Sequence, residues 1–151
     1  MPLNIVLIEP EIPNNTGNIG RLALASGSRL HLVKPFGFEI TDTRLKRAGL
    51  DYWQYLEVIY YESSEAFFKK HKNAKMAFLS SKASKHHWDI PFEDNLFLVF
   101  GKESTGLSNT IIEAHNASIY KIPLLSNHIR SLNLANAVSI TVYEGLRQIQ
   151  N

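Results

Sequence analysis

A chain of 151 residues, 44% of them hydrophobic, is long enough to bury one core and too short for two comfortable ones. It has no cysteine, which excludes disulfides and thiolate metal sites, and its formal charge of +2 permits a nucleic-acid partner without demanding one. No stretch approaches the roughly 18–20 uninterrupted apolar residues of a membrane span, and MPLNIVLIEPE has no basic segment ahead of its apolar run, so the expectation is one cytoplasmic domain over 1–151.

In chain order, NIVLIE (4–9) reads as a short apolar strand and TGNIGRLALASG (16–27) as a helix closed by Gly27. RLHLVKP (29–35) is a strand stopped by Pro35, DTRLKRAG (42–49) a short helix, and LEVIYY (56–61) a strand. SSEAFFKKH (63–71) opens on serines suited to N-capping and is read as a helix. KMAFLSS (75–81) and NLFLVFG (95–101) are apolar strands, SNTIIEAHN (108–116) is a helix and ASIYKIP (117–123) a strand. The last segment, 131–149, sets Leu132, Ala135, Val138, Val142 and Leu146 on one face of a long amphipathic helix. Strands alternating with helices predict an α/β domain with a mostly parallel sheet flanked by helices, its chemistry on loops at the carboxyl ends of the strands.

The loop FGKESTGLS (100–108) resembles a phosphate loop with one essential part missing. Gly101, Gly106 and Ser108 match G-x-x-x-x-G-K-[ST], but Leu107 replaces the lysine that faces the phosphates, and Glu103 would add a carboxylate against them. This weakens a nucleotide-hydrolase reading. Two further polar loops have the same character: NNTGNIGR (14–21) after the first strand and IPLLSNHIRSLNLANA (122–137) after the last. Arg44, Lys46 and Arg47 stand beside DYWQY, and cations next to aromatics suit RNA contact. KKHK reads as a solvated face. His86 and His87 are adjacent rather than one helical turn apart, and are assigned to a surface loop with Trp88 and no metal.

In order and spacing, NIVLIEPEIPNNTGNIGRLALASGSRLHLVKPFGF, RLKRAGLDYW, LVFGKESTGL and IRSLNLANAVSITVYE resemble the motifs of the SPOUT superfamily of RNA methyltransferases, in its small, domain-only branch. The resemblance implies a C-terminal trefoil knot, a homodimer, and S-adenosylmethionine as cofactor with S-adenosylhomocysteine as product and no metal. It implies methylation of a tRNA ribose 2′-oxygen at the wobble nucleotide of leucine tRNAs. The alternatives are another tRNA or rRNA site, or an RNA-binding protein that has lost catalysis. By position, Leu79, Gly101, Gly106, Ile122, Ser131 and Leu132 would hold the cofactor. Arg21, Glu103, Ser131 and Asn133 would carry catalysis, and Asn15 and Lys102 would join Arg44, Lys46 and Arg47 toward RNA. The first-motif arginine, Arg21, is the key catalytic residue of the resemblance. A guanidinium does not deprotonate in proteins, so the expected role is to hold the phosphate beside the target ribose and stabilise alkoxide charge, the proton leaving to that phosphate, to water or to Glu103. One departure stands out: Lys102 occupies a place where the superfamily usually has proline, and the loop is expected to be looser for it.

Overall fold

The computed structural model describes residues 2–39 and 52–150. Arg44, Lys46 and Arg47, and the helix expected over 42–49, lie outside the described residues. The elements are β1 (Asn4–Ile8), α1 (Pro13–Ala25), β2 (Arg29–Val33), β3 (Val58–Tyr61), α2 (Ser64–Lys70), β4 (Met76–Leu79), β5 (Lys85–His86), β6 (Phe97–Phe100), α3 (Asn109–Ala114), β7 (Ile119–Lys121) and α4 (Leu134–Gln150). Single 3-10 turns occupy His87–Asp89 and Asn116–Ser118.

Seven strands form one sheet in the order β3-β2-β1-β6-β4-β7-β5, and every strand pairing is parallel. Parallel strands covered on both faces read as continuous apolar runs, and β1 and β6 are buried along their whole length. On one face Leu3, Ile5, Leu7, Leu98 and Phe100 pack with Ile19 and Ala23 of α1 and Val138 and Val142 of α4. On the other, Val6, Val99 and Phe78 pack with Phe67 of α2 and with Leu107. No helix among the described residues is long and apolar enough to cross a membrane.

The main departures from the sequence reading fall at element starts. Helix α1 begins at Pro13, where proline's fixed φ suits a first helical position, so Asn14 and Asn15 lie inside the first turn instead of before it. Helix α4 begins at Leu134, three residues later than expected. Asn133 caps it, its Oδ1 accepting from the Asn136 N–H at 3.3 Å, which leaves Ser131 and Leu132 in the loop. The short edge strand β5 was not expected; it pairs with β7, which inserts between β4 and β5. His86 belongs to this strand and stacks on the half-exposed Trp88, while His87 is buried.

A polar chain crosses the second core. His31 Nε2 meets Asn4 Oδ1 at 2.9 Å, His31 Nδ1 meets the Tyr61 hydroxyl at 2.8 Å, and Tyr61 meets His71 Nε2 at 2.8 Å. Asn4 Oδ1 can only accept, so His31 Nε2 donates, its Nδ1 accepts from Tyr61, and His71 Nε2–H donates to the Tyr61 oxygen. Burial, aided by the neighbouring His71, pushes the His31 pKa down to about 3, so the ring is neutral.

Candidate active site

The carboxyl ends of β4, β6 and β7 deliver three loops to one rim of the sheet, as expected for ligand sites in parallel α/β sheets. Between them lies a cleft of about 500 Å³, bounded also by Ile12 and Asn15 at the start of α1. Leu79, Gly101, Gly106, Ile122, Ser131 and Leu132 all line it, together with Lys102, Glu103 and Asn133. Arg21 is not among the lining residues.

The loop after β6 needs both of its glycines. A Cβ on Gly101 would lie 2.1 Å from the Gly106 carbonyl carbon and 2.2 Å from the Leu107 nitrogen, which no side chain tolerates. Gly106 has φ +72°, and its N–H donates to the Lys102 carbonyl at 2.8 Å, closing the loop on itself. Leu107, at the position of the absent phosphate-loop lysine, is 3% exposed and anchors the loop in the second core.

Three side chains link the three motifs. The Asn133 Nδ2 donates to Asn15 Oδ1 at 3.1 Å, and Asn15 Nδ2 donates to Glu103 Oε2 at 3.2 Å. The Glu103 carboxylate also accepts the backbone N–H of Glu11 at 2.8 Å and of Ile12 at 2.9 Å, so it sits against the N-terminal approach to α1, where the helix dipole favours an anion. Asn15 is 6% exposed, with both ends of its amide engaged; it lies within this brace rather than on an open RNA-facing surface.

Lys102 approaches Glu9 with Nζ to Oε1 at 3.4 Å. The lysine that replaces proline therefore ties the loop to the end of β1, and the Lys102–Gly106 bridge holds it from within. The expected looseness meets two restraints that sequence reading missed. A third comes from Glu11, whose carboxylate accepts the Ser104 N–H at 2.8 Å and the Ser104 hydroxyl at 3.0 Å. The Ser104 backbone N–H, then its hydroxyl, hold the Glu11 carboxyl below the usual carboxylate range.

Arg21 is exposed on α1, its Cζ 5.1 Å from the centre of the Tyr52 ring. This cation–π contact becomes possible because Gly20 lets Trp53 lie on the helix; a Cβ there would be 2.5 Å from Trp53 Cζ3. Sequence reasoning passed over Lys82, which lines the cleft; its Nζ donates to Asn109 Oδ1 at 3.0 Å. The signal for Glu11 was the alternation Glu9-Pro10-Glu11 directly before α1, two carboxylates beside a helix start.

The donor set fits a nucleoside cofactor without phosphates. Leu79, Ile122 and Leu132 offer apolar walls, the glycines allow close backbone approach, and the lysine of the glycine loop is already paired with Glu9.

The sequence profile described as the SpoU rRNA Methylase family matches residues 2–143. A relative from Saccharophagus degradans named tRNA (cytidine(34)-2′-O)-methyltransferase is 46% identical over 147 residues, covering 97% of this chain and 95% of its own. A solved structure described as giving insight into the 2-OH methylation of C/U34 on tRNA superimposes with a TM-score of 0.92 at 39% identity, covering 97% of this chain and 95% of that one. The SpoU methyltransferase AviRb from Streptomyces viridochromogenes, solved with AdoMet, shares the fold at a TM-score of 0.86 and 23% identity, covering 97% of this chain and 57% of that one. With the profile spanning nearly the whole sequence, and the parallel sheet and loop-built cleft agreeing with it, the chain belongs to the SpoU methylase family.

Proposed function

We propose that this chain is an S-adenosylmethionine-dependent tRNA ribose 2′-O-methyltransferase acting on the wobble nucleotide 34, with leucine tRNAs as the acceptors that the sequence resemblance implies. The observation that carries the reading is the convergence on one cleft of Leu79, Gly101, Gly106, Ile122, Ser131 and Leu132, in a chain 46% identical to a relative named tRNA (cytidine(34)-2′-O)-methyltransferase. Leu79, Ile122 and Leu132 would enclose the adenosine, and the Gly101–Gly106 backbone would approach it closely. When bound, the cofactor supplies a methyl group on a sulfonium; the rest of the work falls to the protein.

A ribose hydroxyl is a weak nucleophile at neutral pH and has to be aligned and relieved of its proton. The Glu103 oxygens already accept hydrogen bonds from Glu11, Ile12 and Asn15, so Glu103 serves as the brace of the site rather than its base. The proton leaves to the substrate phosphate or to water. Arg21 clamps that phosphate and stabilises charge developing on the 2′-oxygen. Ser131, exposed at the mouth, and Asn133 line the cleft and would meet the substrate.

Arg21 stands outside this chain's own cleft, which favours a homodimer in which a second copy brings its Arg21 to the site. Exposed Ile140 and Tyr143 on α4, at 40% and 48%, offer apolar surface for that contact. The insertion of β7 between β4 and β5, strands joined by one short loop, supports the trefoil knot of the resemblance. A tRNA substrate places the enzyme in the cytoplasm. Arg44, Lys46 and Arg47, with Lys102 nearer the cleft, are the cations proposed to meet the tRNA. The test is methyl transfer from labelled S-adenosylmethionine to tRNA transcripts; absence of ribose methylation on every transcript defeats the reading.

A further inference from the structure

We propose that Glu11 is a positioning residue for cofactor binding, the outer half of a reciprocal carboxylate latch that presets the glycine loop before the cofactor arrives. The inference rests on the reading of the cleft as a cofactor site and adds a residue that neither the motifs nor the relatives' names single out.

Each of two loops lends a glutamate to the other's backbone. Glu103, from the loop after β6, accepts the N–H groups of Glu11 and Ile12; Glu11, from the loop after β1, accepts the N–H and hydroxyl of Ser104. Here the four donors to Glu11 and Glu103 from these backbones and Ser104 satisfy both anions, and the loops are held against each other. Charge-assisted bonds of this kind are about twice as strong as neutral ones, so the latch is a firm restraint for a loop this exposed.

The geometry assigns Glu11 its position from outside the cleft. Glu11 is not a lining residue, whereas Ser104, which it grips, is one. Its own backbone is fixed from behind: Gly37 N–H donates to the Pro10 carbonyl at 2.9 Å, and a Cβ on Gly37 would lie 2.8 Å from the Glu11 Cα. The loop after β2 is thus pressed against the Glu11 main chain, which leaves its carboxylate little freedom to turn away. Gly101 and Gly106, the close-approach points, lie on either side of the gripped Ser104. Releasing Ser104 frees the tip of the loop while Gly101, Leu107 and the apolar walls remain seated in the core.

A positioning role predicts a loss in cofactor affinity with little change in the chemical step, because the ordering cost moves from folding to binding. The experiment is calorimetric titration of the protein with S-adenosylhomocysteine, alongside steady-state methylation and amide hydrogen exchange over residues 101–107. Glu11→Ala is expected to raise the Kd about tenfold, leave kcat at saturating cofactor within about twofold, and speed exchange in the free protein only over the glycine loop. Glu11→Gln, which keeps one acceptor for the Ser104 N–H, should fall between and guards against a variant that folds poorly. Ser104→Ala should weaken binding less than Glu11→Ala, and the double variant should be no worse than Glu11→Ala alone. If the unaltered protein binds no S-adenosylhomocysteine, the reading of the cleft fails and this inference with it. If it binds while Glu11→Ala and Glu11→Gln bind equally well, or lose kcat in place of affinity, the inference alone is overturned.

Discussion

Asn15 and Glu103 lie 88 residues apart in the chain and meet through a 3.2 Å hydrogen bond from the asparagine Nδ2 to the glutamate Oε2. With Asn133 on the other end of the Asn15 amide, this contact makes one unit of loops that come from β1, β6 and β7. An asparagine suits the joint because its amide donates and accepts at once.

Replacing Asn15 should therefore damage the site through its neighbours. Asn15→Ala removes the partner of the Asn133 amide and one of the two donors to Glu103 Oε2, which keeps the Ile12 N–H, at a cost of about 1 kcal/mol for each bond lost. Asn15→Asp should do more harm by bringing a second carboxylate against Glu103. Thermal unfolding should rank them wild type, Ala, Asp in falling stability; an Asp variant as stable as the wild type would contradict the brace.

The glycine loop gives a sharper contrast. Gly106→Ala strains a residue at φ +72°, at a cost of about 1–2 kcal/mol, and the variant should fold with weakened cofactor binding. Gly101→Ala drives a Cβ to 2.1 Å from backbone and should leave no competent loop at all. Titration of both with S-adenosylhomocysteine checks the order; equal affinities would show that the loop shifts freely.

Arg21 rests on the Tyr52 ring, and substitutions should separate charge from geometry. Arg21→Ala should abolish methylation while cofactor affinity stays unchanged. Arg21→Lys should lose nearly as much if a bidentate clamp is needed, and should keep partial turnover if a fixed charge suffices. Full turnover in Arg21→Ala would remove the residue from catalysis.

His31 supplies a pH dependence. Its folded pKa of about 3 lies below the ordinary 6.5, so between these values the unfolded chain binds a proton that the folded one refuses. Stability therefore rises with pH across that window, by up to about 1.4 kcal/mol per pH unit from this group, and is lost as pH falls below 6.5. Ring-nitrogen NMR should show His31 neutral and protonated on Nε2 at pH 5; a charged ring there would contradict the wiring through Asn4 and Tyr61.

Much of this architecture was legible because parallel, doubly covered strands leave continuous apolar runs such as Phe97–Phe100, and because Gly101 and Gly106 advertise a loop that tolerates no side chain. The six residues expected to hold the cofactor came from the resemblance of three polar loops to known motifs, and all six line one cleft. What the sequence hid was pairing at long range. Nothing local shows that Lys102 meets Glu9 or that Asn15 joins Glu103 to Asn133, since both pairings depend on which loop lies opposite. The two-residue strand β5 escaped for a related reason: its order comes from pairing with β7, not from any propensity of Lys85 and His86.

The cationic segment Arg44, Lys46 and Arg47 is open to a direct trial. Changing all three to alanine should weaken tRNA binding several-fold, with a shallower salt dependence, and leave S-adenosylhomocysteine affinity intact. Unchanged tRNA binding would remove the segment from the RNA surface.

The central claim concerns one oxygen atom on one nucleotide. The most direct measurement is to incubate the protein with leucine tRNA transcripts and S-adenosylmethionine carrying a labelled methyl group, then map ribose methylation by nucleotide. The account predicts label on the 2′-oxygen of nucleotide 34, lost on Arg21→Ala. Label on a base, on another nucleotide, or nowhere would contradict it.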